Sequence, residues 1–127
     1  MESANAQLNT YRQSPRKVRL LADLVRGKKV PQAITTLKFA NKRATGPIIK
    51  LIESAVANAK NKGMNVDALV ISNISVNAGA TLYRRLPMSR GRAFTKRKRT
   101  SHIAVSLAEK AEKAPKAKAT KAKTETK

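Results

Sequence analysis

The stretch from Leu82 to Arg99, LYRRLPMSRGRAFTKRKR, constrains this chain more than any other. Arg84, Arg85, Arg90, Arg92, Lys96, Arg97, Lys98 and Arg99 fall inside it, and the nearest carboxylates along the chain are Asp67 before it and Glu109 after it. Charges at this density repel one another and cannot enter the protein's own core without partners. The stretch must therefore lie outside any core, on a surface that something else neutralises. Its flanks, Val70–Val76 and His102–Leu107, read as strands. Two strands with the basic stretch between them predict a long hairpin projecting into a polyanion. A basic loop without structure is the competing reading, disfavoured because long structureless loops are uncommon in compact domains.

The hairpin's length has a consequence. From Val76 to a tip near Pro87 is about eleven residues, or roughly 35 Å at strand rise. A domain of ~100 residues has a radius of gyration of only about 13 Å. The far half of the arm therefore stands off the body, and isolated two-stranded ribbons are marginal in water, so ordering is expected chiefly on binding. Pro87 and Gly91 suit a turn, and Gly79 is expected to mark a bulge that bends the arm.

Lys and Arg outnumber Asp and Glu by 28 to 7, a net charge of +21. That excess favours a nucleic acid or an anionic membrane surface as partner. Apolar runs such as Ala68–Ile71 are too short to span a bilayer, and residues 1–13 lack the apolar region of a signal peptide. Without Cys, the chain has no disulfide, thiol catalysis or Cys-based zinc site. A cytoplasmic location is expected. The length of 127 residues suits one domain. It is expected to span residues 1–109 and to include the arm, about 76–100. Residues 110–127 reduce to Lys, Ala, Thr, Glu and Pro and are expected to form a disordered tail.

Within 1–13, Leu8 to Tyr11 suits a short edge strand. Ser14-Pro15 then signals a helix start, with Ser accepting from first-turn amides and Pro at the first helical position. Val18, Leu21, Ala22 and Val25 follow at i, i+3, i+4 and i+7, and Gly27 supplies a left-handed stop. A second helix is expected near Pro31, presenting Ala33, Ile34 and Leu37. A third, beginning between Asn41 and Pro47 and running to about Asn61, carries Ile48, Leu51, Ile52, Ala55, Val56 and Ala59 on one face. Gly63 ends it, and Ala55 and Ala59 allow close approach to a sheet or to the first helix. From Val66 the period changes: Leu69, Val70, Ile71, Ile74 and Val76 read as a strand, and Ile103, Val105 and Leu107 alternate as a half-buried one. The fold class is therefore α+β.

No catalytic constellation emerges. His102 is the only histidine, and a structural or RNA-facing role suits it better than catalysis. Asp23, Glu53 and Asp67 are scattered without metal or acid–base spacing, and there is no glycine-rich phosphate loop. Tyr83 and Phe94 flank the tip, where they either stack on bases or pack across the ribbon. No cofactor or metal is expected.

SPRKVRLLADLVRGKKVPQAI (Ser14–Ile34), IKLIESAVANAKN (Ile49–Asn61) and GRAFTKRKRTSHIAV (Gly91–Val105) closely resemble the uL-twenty-two family of bacterial large-subunit ribosomal proteins. The likeness covers roughly residues 8–107. Its signature is a basic run, Gly91-Arg92, nine residues, then His102-Ile103-Ala104-Val105. Met88 departs from it, standing where the family usually has a basic residue.

The resemblance implies three helices on a small antiparallel sheet, with an extended β-hairpin. It implies a globular part on the large-subunit surface near the polypeptide exit, and a hairpin that threads through rRNA and lines the nascent-peptide tunnel. It also implies a part in early subunit assembly, and links changes at the tip to altered macrolide susceptibility. The expected partners are large-subunit rRNA, neighbouring ribosomal proteins and the nascent polypeptide, with no membrane and no homo-oligomer. The expected rRNA-binding residues are Arg12, Arg16, Lys17, Arg19, Arg26, Lys28, Lys29, Arg84, Arg85, Arg90, Arg92, Lys96, Arg97, Lys98, Arg99 and His102. The expected tunnel-facing tip is Leu82, Tyr83, Arg84, Arg85, Leu86, Pro87, Met88, Ser89 and Arg90. A DNA-compacting protein, suggested by the Lys-Ala-Pro tail, is the rival reading. A membrane-active protein is a third, but the third helix carries too few cations for it.

Overall fold

A computed structural model describes residues 3–109. The order of elements is β1 (Ser3–Tyr11), α1 (Pro15–Val25), α2 (Val30–Phe39), α3 (Thr45–Asn61), β2 (Leu69–Ala78), β3 (Leu82–Pro87), β4 (Ala93–Lys98) and β5 (Ser101–Glu109). The fold is α+β. β5 lies in the middle of an antiparallel sheet of order β1-β5-β2, and β3 and β4 pair with each other alone. The disorder expected for residues 110–127 falls outside the described residues.

The sheet is two-faced because its strands alternate. Ile103, Val105 and Leu107 of β5 are buried, while His102, Ala104 and Ser106 are half-buried on the other face. On the buried face Val105 stands opposite Ala6 and Ile74, and Leu107 opposite Ala4 and Ile71. In β2 the buried residues Leu69 and Ile71 are two apart, but Ile71 and Ile74 are three apart. A strand holds its face across such a gap only by bulging, and the register does shift between Ile71 and Asn73. The Ser72 hydroxyl donates to the Ser106 carbonyl there, at 3.0 Å.

The helices cover the apolar face. α1 lies against β2, burying Val18, Leu21, Ala22 and Val25, and α3 lies across β1 and β5. Ala55 and Ala59 of α3 are fully buried, as is Ala4 of β1, so small residues bring helix and strand together. α2 bridges the other two helices through Ala33 and Leu37. The sequence expected Ser14 to cap α1 with its side chain. Instead its backbone carbonyl accepts from Lys17 and Val18, and the hydroxyl makes no capping bond. Gly27 and Gly63 follow α1 and α3 at φ +74, as stops of this kind require. The Gly63 N–H donates to the Lys60 carbonyl and that of Met64 to the Ala59 carbonyl, closing the end of α3.

One strand expectation needs correction and another is met. β1 is a full edge strand from Ser3, not a short one from Leu8, because Ala4 and Ala6 alternate inward too weakly to be heard in the sequence. The bulge expected at Gly79 is present at the root of the arm: between Ala78 opposite Ser101 and Leu82 opposite Lys98, residues 79–81 face only 99–100, an irregularity additional to the one at Ser72. Gly79 also serves close packing there. Its N–H donates to the Thr100 carbonyl at 2.9 Å, and a Cβ there would stand 2.5 Å from Thr100 Oγ1 and 2.8 Å from His102 Nε2. Gly79→Ala should therefore push β5 and the arm root apart. The expected loss is about 1–3 kcal/mol, read by thermal unfolding, with displaced His102 ring resonances.

Candidate nucleic-acid interface

The arm is a ribbon with no core. β3 and β4 pair from Leu82 opposite Lys98 to Pro87 opposite Ala93, and every residue of both strands is exposed except half-buried Leu86. Opposite residues share a face. One face therefore carries Leu82, Arg84, Leu86, Phe94, Lys96 and Lys98, and the other carries Tyr83, Arg85, Pro87, Ala93, Thr95 and Arg97. Phe94 stands opposite Leu86, an apolar cross-strand pair, yet remains 49% exposed. Tyr83 stands opposite Arg97 and is 58% exposed. Both rings keep area free for stacking.

Arg84 stands opposite Lys96, a like-charge pair that weakens an isolated ribbon. At the tip, the Met88 N–H donates to the Arg92 carbonyl at 2.7 Å, and Arg90 and Gly91 are both left-handed, at φ 58 and 68. A left-handed Arg costs roughly 1–2 kcal/mol, so Arg90 is held there by the closure of the turn. Among the described residues the one salt bridge is Arg26 to Asp23, at 3.0 Å on α1. Among the described residues no arm cation has a carboxylate partner.

Where the arm meets the body, a cleft of about 600 Å³ opens. Its lining comprises Arg12, Gln13, Ser14 and Arg43 from the body and Arg84, Arg97, Lys98 and Arg99 from the arm. The body wall is well braced. Tyr11 donates its hydroxyl to the Arg43 carbonyl at 3.4 Å, and Thr45 Oγ1 donates to the Ala40 carbonyl at 2.9 Å. Gln13 Oε1 is buried and has no hydrogen-bond partner.

The remaining named cations divide by position. Arg16 and Lys17 are exposed on the first turn of α1. Arg19 and Arg26 donate to the carbonyls of Val76 and Ile74, each at 3.1 Å, and so also clamp α1 to β2. Lys28 and Lys29 lie in the turn after α1, where the Lys28 carbonyl accepts from the Ile71 N–H and Lys29 bridges to Val70. Arg85, Arg90, Arg92 and Lys96 stand on the arm beyond the cleft lining. His102 is half-buried, and its Nδ1 accepts the N–H of Thr10 at 3.1 Å. This bond ties the end of β1, where Thr10 is left-handed at φ 55, to β5. Arg43 was not singled out by sequence. Its signal was the pair Lys42-Arg43 in a short inter-helix connection, which only the fold brings beside Arg12.

Among the described residues no group of three or more His, Asp or Glu side chains could hold a metal, and no helix is long and apolar enough to cross a membrane.

Residues 6–108 match the family model described as ribosomal protein L22p/L17e. The chain is 49% identical over 113 residues to the large ribosomal subunit protein uL22 of Desulfosudis oleivorans, covering 89% of this chain and 99% of that one. It is 50% identical over 113 residues to the uL22 of Desulfitobacterium hafniense, covering 88% and 99% respectively. The uL22 of Mycoplasma capricolum is 52% identical over 103 residues, 80% of this chain and 93% of its own. The matched span runs from β1 through the arm to β5, so helices, sheet and ribbon all fall within it. This chain belongs to the ribosomal protein L22p/L17e family.

Proposed function

We propose that the arm and its root bind large-subunit rRNA, hold rRNA segments against each other during assembly, and carry the tip to the wall of the nascent-peptide tunnel. Family membership makes the chain a structural protein of the large ribosomal subunit, active in translation and not an enzyme. Its location is the ribosome in the cytoplasm, and its partners are rRNA and other ribosomal proteins. The finer reading rests above all on one observation: a ribbon exposed at all but Leu86, whose cations have no carboxylate partner among the described residues. Such a ribbon is stabilised by a polyanion that neutralises it, and arginine suits folded RNA because it pairs bidentately with phosphate and stacks on bases. The tunnel-facing role of Leu82 to Arg90 rests on the family resemblance and on a narrow, exposed tip that includes Met88. In this reading the protein acts as a single copy, residues 1–109 work as one unit, and residues 110–127 add only sequence-independent phosphate affinity.

The test is a comparison of substrates. Full-length protein and a variant lacking residues 110–127 are titrated against a large-subunit rRNA transcript and against duplex DNA. Preference for rRNA, with little loss on removing the tail, is expected. Equal affinity for DNA, or collapse of binding without the tail, would favour a compacting protein instead.

A further inference from the structure

The arm-root cleft differs from the rest of the basic surface in having two walls. Arg12 and Arg43 stand on the body side, Arg84 and Lys98 of one ribbon face on the arm side, and no carboxylate lines the space between. Cations facing one another across a gap push the arm away from the body unless an anion lies between them. The cleft volume, about 600 Å³, falls within the range that holds a nucleotide-sized ligand. Gln13 lines the same cleft, and its Oε1 is buried without a partner. A buried amide oxygen lacking a donor is costly, and a phosphate, which offers only acceptors, cannot satisfy it. A ribose 2′-hydroxyl can once the Gln13 side chain turns toward the cleft, because it both donates and accepts.

We propose, on the rRNA reading above, that this cleft is a ribonucleotide clamp. The phosphate lies between Arg43 and Arg12 on one side and Arg84 and Lys98 on the other, and the adjoining 2′-hydroxyl bonds the Gln13 amide. RNA bound here touches both body and arm, so it fixes the angle at which the arm leaves the domain. The clamp therefore supplies orientation as well as affinity, and it reads RNA against DNA at one position. Arg43 and Gln13 are suited to testing this, since neither side chain holds the fold: Arg43 is exposed, and Gln13 is bonded only through its backbone N–H to the Tyr11 carbonyl.

The experiment uses the full chain, whose lack of cysteine permits clean labelling. Spin labels at Glu53→Cys on α3 and Ser89→Cys at the tip report the arm angle as a distance distribution. Affinity is measured for a large-subunit rRNA transcript and for its 2′-deoxy counterpart. With rRNA, the unsubstituted cleft should give one narrow distribution. Arg43→Ala should bind rRNA about tenfold more weakly and leave the distribution broad even at saturation. Gln13→Met should lose RNA-over-DNA preference by a similar factor while its melting temperature is unchanged. Wild-type affinity, preference and narrow distribution in both variants would overturn the clamp and leave rRNA binding by the arm intact. Failure of the unsubstituted protein to prefer rRNA would overturn the rRNA reading and the clamp together.

Discussion

Replacing Arg84, Arg85, Arg90 and Arg92 together with Ala should weaken rRNA binding by about a hundredfold or more and leave the melting temperature within a few degrees of the parent. The two halves of this expectation have separate causes. All four side chains are exposed and none has a carboxylate partner among the described residues, so their removal deletes no contact of the folded core. It also relieves the repulsion of Arg84 by Lys96 across the ribbon. Binding behaves differently, because each phosphate neutralised by a cation releases counterions. The slope of log K against log salt is about −0.7 to −0.9 per phosphate, so losing four contacts should reduce its magnitude by roughly 3. Filter binding across a range of salt concentrations reads both quantities. An unchanged slope would mean that the arm is not the main contact.

The converse is Leu107→Ala, which should destabilise the body by about 2–5 kcal/mol and lower the melting temperature by more than ~10 °C. Leu107 is fully buried on the central strand, opposite Ala4 of β1 and Ile71 of β2. The small residue opposite it on β1 offers nothing that can swing in to fill the space, so the cavity persists. Native domains are stable by only about 5–15 kcal/mol, so this one change removes a large share. Phe94→Ala on the arm deletes a larger side chain, yet it should change stability by only about 0.5 kcal/mol, because Phe94 is half exposed and packs only across the ribbon. The contrast is checked by chemical denaturation of the two variants side by side. A large loss from Phe94→Ala would show that the arm is part of the folding unit.

Much of this architecture was legible in the sequence because the strong signals were periodic. The stripes from Val18 to Val25 and from Ile48 to Ala59 carry large apolar residues at helical spacing, and both helices lie where those stripes point. The alternation of Ile103, Val105 and Leu107 located the central strand for the same reason. Where apolar payload was small, the signal failed. Ala4 and Ala6 alternate correctly, but alanine has little strand preference, so the first half of β1 was missed. Glycine located the irregularity at the arm root, whereas the one at Ser72, written in the three-residue gap from Ile71 to Ile74, was missed. Gly79 is needed for closeness to Thr100 and His102, a property of packing that no local pattern records.

The interface divides along the same line. The arm's density of cations announced itself, whereas the cleft did not, because Arg12, Gln13 and Arg43 come from three places along the chain. Arg19 and Arg26 were expected in sequence to bind rRNA, and only the fold shows them bonded to β2 carbonyls. Charge count identifies a partner class, and tertiary structure identifies which charges are committed elsewhere.

The central claim, that this chain is built into the large subunit by its arm, is tested most directly by sedimentation of tagged protein from gently lysed cells, at low salt and after a high-salt wash. An arm threaded through rRNA predicts that the protein stays with the large subunit through the wash. Loss from the subunit, with recovery on bulk DNA or as free protein, would contradict the account.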